Sequence, residues 1–319
     1  MNISKTIEEL FSSISFAGKP EGLYDPLRYM IAIGGKRIRP RLCLTAFSLY
    51  ADEFSPGALE CAAALEVFHT FTLIHDDIMD RSPLRRGVPT VWKKWNEDTA
   101  ILSGDVMLID AYKRVSKAPG YCHAAVMDLF SNTAAQVCEG QQYDMEFESL
   151  QTVPMSQYEM MIGLKTAVLL ACSAKMGGLL VGAPEADCNA LYNYGYELGM
   201  AFQIADDYLD AYGDEKVFGK PIGGDIVNEK KSWLTVRALL KTSDPAAFLE
   251  AFGRKWSTEE EKQAKIAAVK SLYDSLGIAE EARAEILRYS ARAMDAVSGL
   301  HADTTPLKEF ADRLVGRAR

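Results

Sequence analysis

Apolar residues recur every three to four positions along almost the whole chain, and strict apolar–polar alternation is nearly absent. That period predicts helices and almost no sheet. Good helix formers (Ala, Leu, Glu, Met, Lys) dominate the same stretches. The pattern places helices at about 3–15, 40–50, 56–79, 99–117, 120–148, 155–182, 185–212, 227–240, 245–253, 257–274, 277–299 and 304–316. Local breakers separate them: Gly34-Gly35, Ser55-Pro56, Ser82-Pro83, Pro119-Gly120, Pro154, Pro184, Gly213, and Pro221 with Gly223-Gly224. No linker rich in Pro, Gly or Ser divides the chain, so residues 1–319 read as a single all-α domain, a bundle of several long helices.

Composition narrows the function. With 48% hydrophobic and 25% charged residues over 319 positions, the chain can bury a large core. It carries 35 basic against 44 acidic residues, net −9. That sign argues against a nucleic-acid binder that neutralises phosphates over a wide surface, but it allows a local basic pocket for a small phosphorylated ligand. None of the six cysteines forms a C-x-x-C pair, which fits a reduced, cytoplasmic setting. The most apolar stretch, 167–182, is interrupted by Lys175 and follows Lys165. It is too short and too charged for stable membrane insertion.

Two acidic clusters carry the chemistry. Asp76-Asp77-Ile78-Met79-Asp80 and Asp206-Asp207-Tyr208-Leu209-Asp210 share the form D-D-x-x-D. With 21 Asp in 319 positions, chance predicts roughly 0.1 occurrence of that pattern. Each lies in a strongly apolar helical run, AAALEVFHTFTLIHDDI and LGMAFQIADDYL. In a helix the first and last Asp of each cluster share a face and repel. At about 6 Å and an effective dielectric near 20 that costs roughly 3 kcal/mol per pair. A divalent cation removes the cost, and carboxylates with open positions beside phosphate suit magnesium. The plainer reading, two solvated acidic helix ends, fits poorly with apolar flanks and a repeated pattern. No D-x-D-x-D-G loop is present, which excludes EF-hand calcium. His75-Asp76 invites comparison with histidine–aspartate phosphohydrolases, but no histidine precedes position 69 to supply their upstream ligand.

Basic groups stand beside each cluster. Gly34-Gly35-Lys36-Arg37-Ile38-Arg39-Pro40 is a glycine turn feeding a helix start, where backbone and dipole favour an anion. Arg85-Arg86-Gly87 follows the first acidic cluster, and Lys220, Lys230 and Lys231 follow the second. Lys165-Thr166 sits inside an apolar helix, as a snorkelling side chain or a ligand-facing cation. Carboxylate, metal, phosphate and arginine in alternation give every charge a counter-charge.

Together these residues resemble the trans-isoprenyl diphosphate synthases (polyprenyl synthetases). The match comprises G-G-K-R-x-R-P at 34–40, H-x-x-x-L-I-H-D-D-x-x-D at 69–80, R-R-G at 85–87 and G-D at 104–105. It continues with G-Q-x-x-D at 140–144, K-T at 165–166, F-Q-I-x-D-D-x-x-D at 202–210, and G-K-x-x-G-G-D with K-x-S-W at 219–233. The carboxy-terminal third shows no motif, although the basic tail Arg317/Arg319 is a candidate for the active-site rim.

The resemblance implies an all-α isoprenoid synthase fold around a deep central cavity, usually a homodimer. It implies Asp76, Asp80, Asp206, Asp207 and Asp210 as magnesium ligands for up to three ions, with Gln141 and Asp144 supporting the metal–water shell. Arg85, Lys165, Lys220 and Lys230 are implied to hold an allylic diphosphate. Lys36, Arg39, His69 and Arg86 are implied to hold isopentenyl diphosphate, and Thr166 and Gln203 to offer oxygens to the developing allylic cation. The implied reaction is head-to-tail condensation by ionisation, addition and proton loss.

In this family, bulky residues four and five places before the first aspartate shorten the product. Here they are Thr72 and Phe71, so a short product is expected, farnesyl or geranylgeranyl diphosphate. Three alternatives stand beside it: a longer-chain polyprenyl diphosphate synthase, a terpene cyclase, and a non-catalytic regulatory subunit. An intact Lys36-to-Arg39 motif argues against the cyclase, which needs no second diphosphate site, and complete motifs argue against the silent subunit.

Overall fold

A computed structural model describes residues 2–213 and 222–316. Among them the helices are α1 (Ile3–Ser13), α2 (Glu21–Ala32), α3 (Ile38–Phe47), α4 (Pro56–Met79), α5 (Val91–Lys94), α6 (Glu97–Val115) and α7 (His123–Glu148). Then follow α8 (Met155–Ile162), a π-helical turn (Gly163–Ala167), α9 (Val168–Val181), α10 (Glu185–Tyr212), α11 (Gly224–Val227) and α12 (Trp233–Lys241). The last are α13 (Pro245–Phe252), α14 (Glu259–Ser275), α15 (Ile278–Ala296) and α16 (Thr305–Val315). The sheet content of the described residues is one hairpin, β1 (Leu84–Arg85) against β2 (Val88–Pro89).

The chain gathers into two compact units. One comprises Met1–Asn132, Cys172–Tyr192 and Leu300–Pro306; the other comprises Thr133–Ala171, Asn193–Gly299 and Leu307–Arg319. At the centre of the first is α4. Ser55 caps it by accepting the Ala58 N–H at 3.2 Å, and Pro56 fills its first turn. Beyond that turn it is buried on almost every side, from Cys61 through Phe68. A helix apolar all round belongs inside a core. It packs on α3 and along α6. Gly104 of α6 permits close approach: a Cβ there would lie 2.2 Å from His75 Nε2.

The second unit is built on α10, the π turn and α12 to α15. Gly195 and Gly199, one turn apart on α10, let it lie directly on the preceding helix. Added Cβ atoms would fall 2.6 Å from the Leu170 carbonyl oxygen and 2.5 Å from the Ala167 Cα. Tyr158, Tyr194 and Tyr273 are the largest side chains fully buried in this unit. Each satisfies its hydroxyl, on Asp207, the Leu307 carbonyl and Thr235 respectively.

Two helices, Pro56–Met79 and Met155–Val181, have the length and hydropathy of a membrane span, but 67% and 72% of their apolar windows are buried inside the fold. All six cysteines are free thiols, five of them buried.

The predicted helices form, with 155–182 interrupted by the π turn and short helices added at Val91–Lys94 and Gly224–Val227. Residues 21–32, outside the predicted set, are also helical; Pro26 lacks the N–H for one helical bond, and the helix buries Leu27, Met30 and Ile31. Residues 84–89 form a hairpin. The expected helix at 227–240 starts late: Ser232 caps α12, leaving Lys230 and Lys231 in the preceding connection.

Candidate active site

In the first unit, helix α4 delivers the first acidic cluster at its carboxy-terminal end. Asp76 is half-buried and Asp80, the C-cap, is exposed, while Asp77 between them is only 1% exposed. Asp77 takes both its oxygens to Arg85: Nε donates at 3.0 and 2.9 Å, and Nη2 lies 2.8 Å from Oδ1. Arg85 Nη2 also reaches Asp76 Oδ2 at 3.4 Å. Burial pushes the Asp77 carboxyl up, and Arg85 opposes it. For Arg85, burial favours the neutral form, but the Asp77 carboxylate outweighs it and the guanidinium is held more firmly charged.

Arg85 and Arg86 owe their positions to the hairpin. Arg86 and Gly87, with φ of 52° and 78°, form the two-residue turn between β1 and β2. Both central residues at positive φ is the type I′ pattern, which Asn-Gly usually fills. An arginine there is a strained choice, and strain of this kind collects at functional sites. The Arg86 guanidinium lies against Gly35, where a Cβ would stand 2.7 Å from Nη1. Gly35 therefore lets the G-G-K-R loop and the R-R-G turn meet.

Arg37 also has positive φ, 49°, at the N-cap of α3. Its side chain turns inward. Nη1 donates to Glu66 Oε1 at 3.0 Å, Nη2 donates to the Ile31 carbonyl at 2.8 Å, and the guanidinium lies 4.4 Å from the Phe11 ring centroid. Glu66 is 2% exposed, so this is a buried ion pair that pins the basic loop to α4. Three residues along α4 from Glu66 is His69. Burial, reinforced by Arg39, Arg85, Arg86 and Arg37, pushes its imidazole well down, so it stays neutral at pH 7. Burial also lowers Arg86. Lys36, Arg39, His69 and Arg86 thus sit within one unit, and the last three share one electrostatic neighbourhood.

In the second unit the second cluster repeats the design. Asp206 and Asp210 are half-buried, and Asp207 between them is 6% exposed. Asp210 Oδ2 accepts the Asp225 N–H at 2.9 Å, which fastens the G-G-D turn to α10. Asp207 faces three donors: the Tyr158 hydroxyl at 2.5 Å and the Trp233 N–H at 2.7 Å on Oδ2, and Gln203 Nε2 at 2.9 Å on Oδ1. Burial raises its carboxyl to about 6, and those three bonds restrain the rise. Gln203 Oε1 in turn accepts the Thr166 hydroxyl at 2.8 Å. Asp207 was expected among the metal ligands; the structure sets it amid protein donors.

Thr166 and Lys165 lie in the π turn, a widened stretch common at functional sites. Gly140 of α7 permits its close approach, since a Cβ would fall 2.3 Å from the Lys165 backbone nitrogen. Lys165 Nζ bonds Asp144 Oδ2 at 2.6 Å, and Lys230 Nζ lies 3.9 Å from the same oxygen and 2.6 Å from Glu148 Oε1. Asp144 is thus the counter-ion of two lysines, with Gln141 one turn before it on α7. Phe71 is 8% exposed and stacks edge-on with His75 at 4.8 Å, next to Phe68 at 5.5 Å. The Thr72 hydroxyl turns back to the His69 carbonyl at 2.8 Å. Lys220 and the tail Arg317/Arg319 lie outside the described residues.

Among the described residues no three carboxylate, imidazole or thiol groups converge as a ready-made metal cage. The accessible donors are two aspartates per cluster, four apart on a helix. Pairs of hard oxygen ligands suit magnesium, which keeps several of its own waters and is usually held by one or two carboxylates.

An all-α fold carrying paired aspartate clusters and a buried-anchored basic loop defines an isoprenoid synthase. A polyprenyl synthetase family model matches residues 20–270, and the chain belongs to the polyprenyl synthetase family. It is 38% identical to geranylgeranyl diphosphate synthase of Methanosarcina mazei, over 83% of this chain and 81% of that one. It is 35% identical to geranylfarnesyl diphosphate synthase of Natronomonas pharaonis, over 94% and 91%. A crystal structure of a geranylgeranyl pyrophosphate synthase matches with TM-score 0.92 and 40% identity, covering 98% of this chain and 97% of that one.

Proposed function

We propose that this chain is a magnesium-dependent short-chain trans-prenyltransferase, a soluble cytoplasmic homodimer. It condenses an allylic diphosphate with isopentenyl diphosphate, head to tail, and stops at farnesyl or geranylgeranyl diphosphate. The observation that carries the reading is the repeated arrangement of the two aspartate clusters. In each, the outer aspartates are accessible and the middle one is buried and bonded to neighbouring donors.

Asp76 and Asp80, and Asp206 and Asp210, hold up to three magnesium ions. When bound, the metal supplies positive charge to the leaving diphosphate. Arg85, Lys165 and Lys230, with Lys220, grip that diphosphate by charge-assisted bonds. Asp144 keeps Lys165 and Lys230 oriented before substrate arrives. Lys36, Arg39, neutral His69 and Arg86 seat isopentenyl diphosphate, so that its double bond meets the allylic carbon as the C–O bond opens. Thr166 and Gln203 offer oxygen lone pairs to the charge growing on that carbon. The proton lost at the end goes to the released diphosphate. Apolar helices around both clusters keep water from quenching the cation.

The two relatives above are named for products one isoprene unit apart. Phe71, buried and wedged between Phe68 and His75, favours the shorter end. The test is incubation of the purified chain with magnesium and dimethylallyl, geranyl or farnesyl diphosphate, with and without isopentenyl diphosphate, and chromatographic sizing of the products. Elongation that requires isopentenyl diphosphate and ends at fifteen or twenty carbons is expected. A hydrocarbon formed without it would point to a cyclase, and no product at all to a silent subunit.

A further inference from the structure

We propose that Asp207 is a positioning residue that fixes the hydrogen-bond polarity of Gln203 and Thr166, so that the pair turns lone pairs, and no proton, toward the allylic carbon. The proposal rests on the reading that Thr166 and Gln203 face that carbon.

Trp233 N–H opens α12 and cannot rotate, so the atom opposite it at 2.7 Å must be an acceptor. The Tyr158 hydroxyl supplies a second donor to the same oxygen. An ionised carboxylate accepts at every position and donates at none. The side chain of Gln203 must therefore present its NH2 to Asp207 Oδ1. The amide has only one other end, so its carbonyl meets Thr166. That carbonyl cannot donate, which makes the Thr166 hydroxyl the donor of the pair. Its single proton is then committed to Gln203, and its lone pairs are what remain. The assignment follows from the donor and acceptor types alone and needs no hydrogen to be seen. It also explains a carboxylate, and not an amide, at a position enclosed by protein.

The sharpest probe is Asp207→Asn, which keeps size and shape. Trp233 N–H then requires the Asn carbonyl, so the Asn NH2 faces Gln203. The Gln203 amide must rotate to accept it, turning its own NH2 to Thr166, whose proton is released to the other side. We expect kcat to fall thirtyfold or more, with KM for both diphosphates and the magnesium concentration for half-maximal rate unchanged within threefold. Thr166→Val alone lowers kcat, and adding it to Asp207→Asn changes the rate by less than twofold, because the reversed hydroxyl no longer helps.

Losses that multiply in the double variant overturn the proposal. So does a tenfold or larger rise in the magnesium requirement of Asp207→Asn, which would make Asp207 a ligand. Thr166→Val at full wild-type rate defeats the underlying assignment of Thr166 instead, whatever Asp207→Asn does. If Asp207→Asn fails to fold by thermal unfolding, Tyr158→Phe decides. It removes one donor and leaves the polarity set, so kcat falls by less than in Thr166→Val; a fall as large as in Thr166→Val overturns the proposal.

Discussion

Arg86, proposed to hold isopentenyl diphosphate, sits at a strained backbone position. Its φ of 52° in a two-residue hairpin turn suits asparagine better than arginine. Arg86→Asn is expected to leave the fold as stable or to raise stability by up to about 1 kcal/mol, while KM for isopentenyl diphosphate rises tenfold or more. Urea denaturation and steady-state kinetics on one preparation check both; a clear loss of stability would mean that the guanidinium is there for packing on Gly35. His69 gives the pH counterpart. Burial and its arginine neighbours lower its pKa in the native state, whereas the unfolded chain titrates near 6.5. Below about pH 6.5 the unfolded state binds the extra proton and the native state does not, so stability falls as pH falls. Between pH 7.5 and 5.5 the wild type is expected to lose about 1 kcal/mol more than His69→Gln, measured by urea denaturation at both values. Equal losses would mean that His69 is protonated in the fold.

At the scale of elements, α10 depends on a close crossing. Gly195 and Gly199 put its backbone against Ala167 to Leu170, and that contact holds the π turn carrying Lys165 and Thr166. Gly199→Ala forces a Cβ to within 2.5 Å of the Ala167 Cα, and overpacking of this kind costs about 1–3 kcal/mol. A lower thermal midpoint with a fall in kcat is the expected result; unchanged stability would show that the helices can part freely. The long helices and both acidic clusters were legible in the sequence, because apolar period and repeated aspartates are local signals. The division of labour inside each cluster was not. Asp77 and Asp207 look like their neighbours in sequence, and only the fold brings Arg85 to one and Tyr158 and Trp233 to the other. Glu66 left a trace that could have been read, a lone acid in the apolar run AAALEVF. Tyr158 left none. The hairpin was hidden by its brevity: two paired residues per strand show no alternation.

At the scale of the molecule, the proposed reaction needs a chamber that keeps water from the cation while a chain grows within it. Product length belongs to this scale, because it reflects the room left for a growing chain. Phe71→Ala empties a buried site beside Phe68 and His75. It is expected to lengthen the product by at least one isoprene unit, read by chromatography; an unchanged product would place the floor elsewhere. The most direct single measurement is the rate of isopentenyl diphosphate incorporation with magnesium by the wild type, Asp76→Ala and Asp206→Ala. Each substitution is expected to lower turnover by about 10³-fold or more, equivalent to roughly 4 kcal/mol of transition-state stabilisation. Turnover within tenfold of wild type in both variants would contradict the proposed reaction.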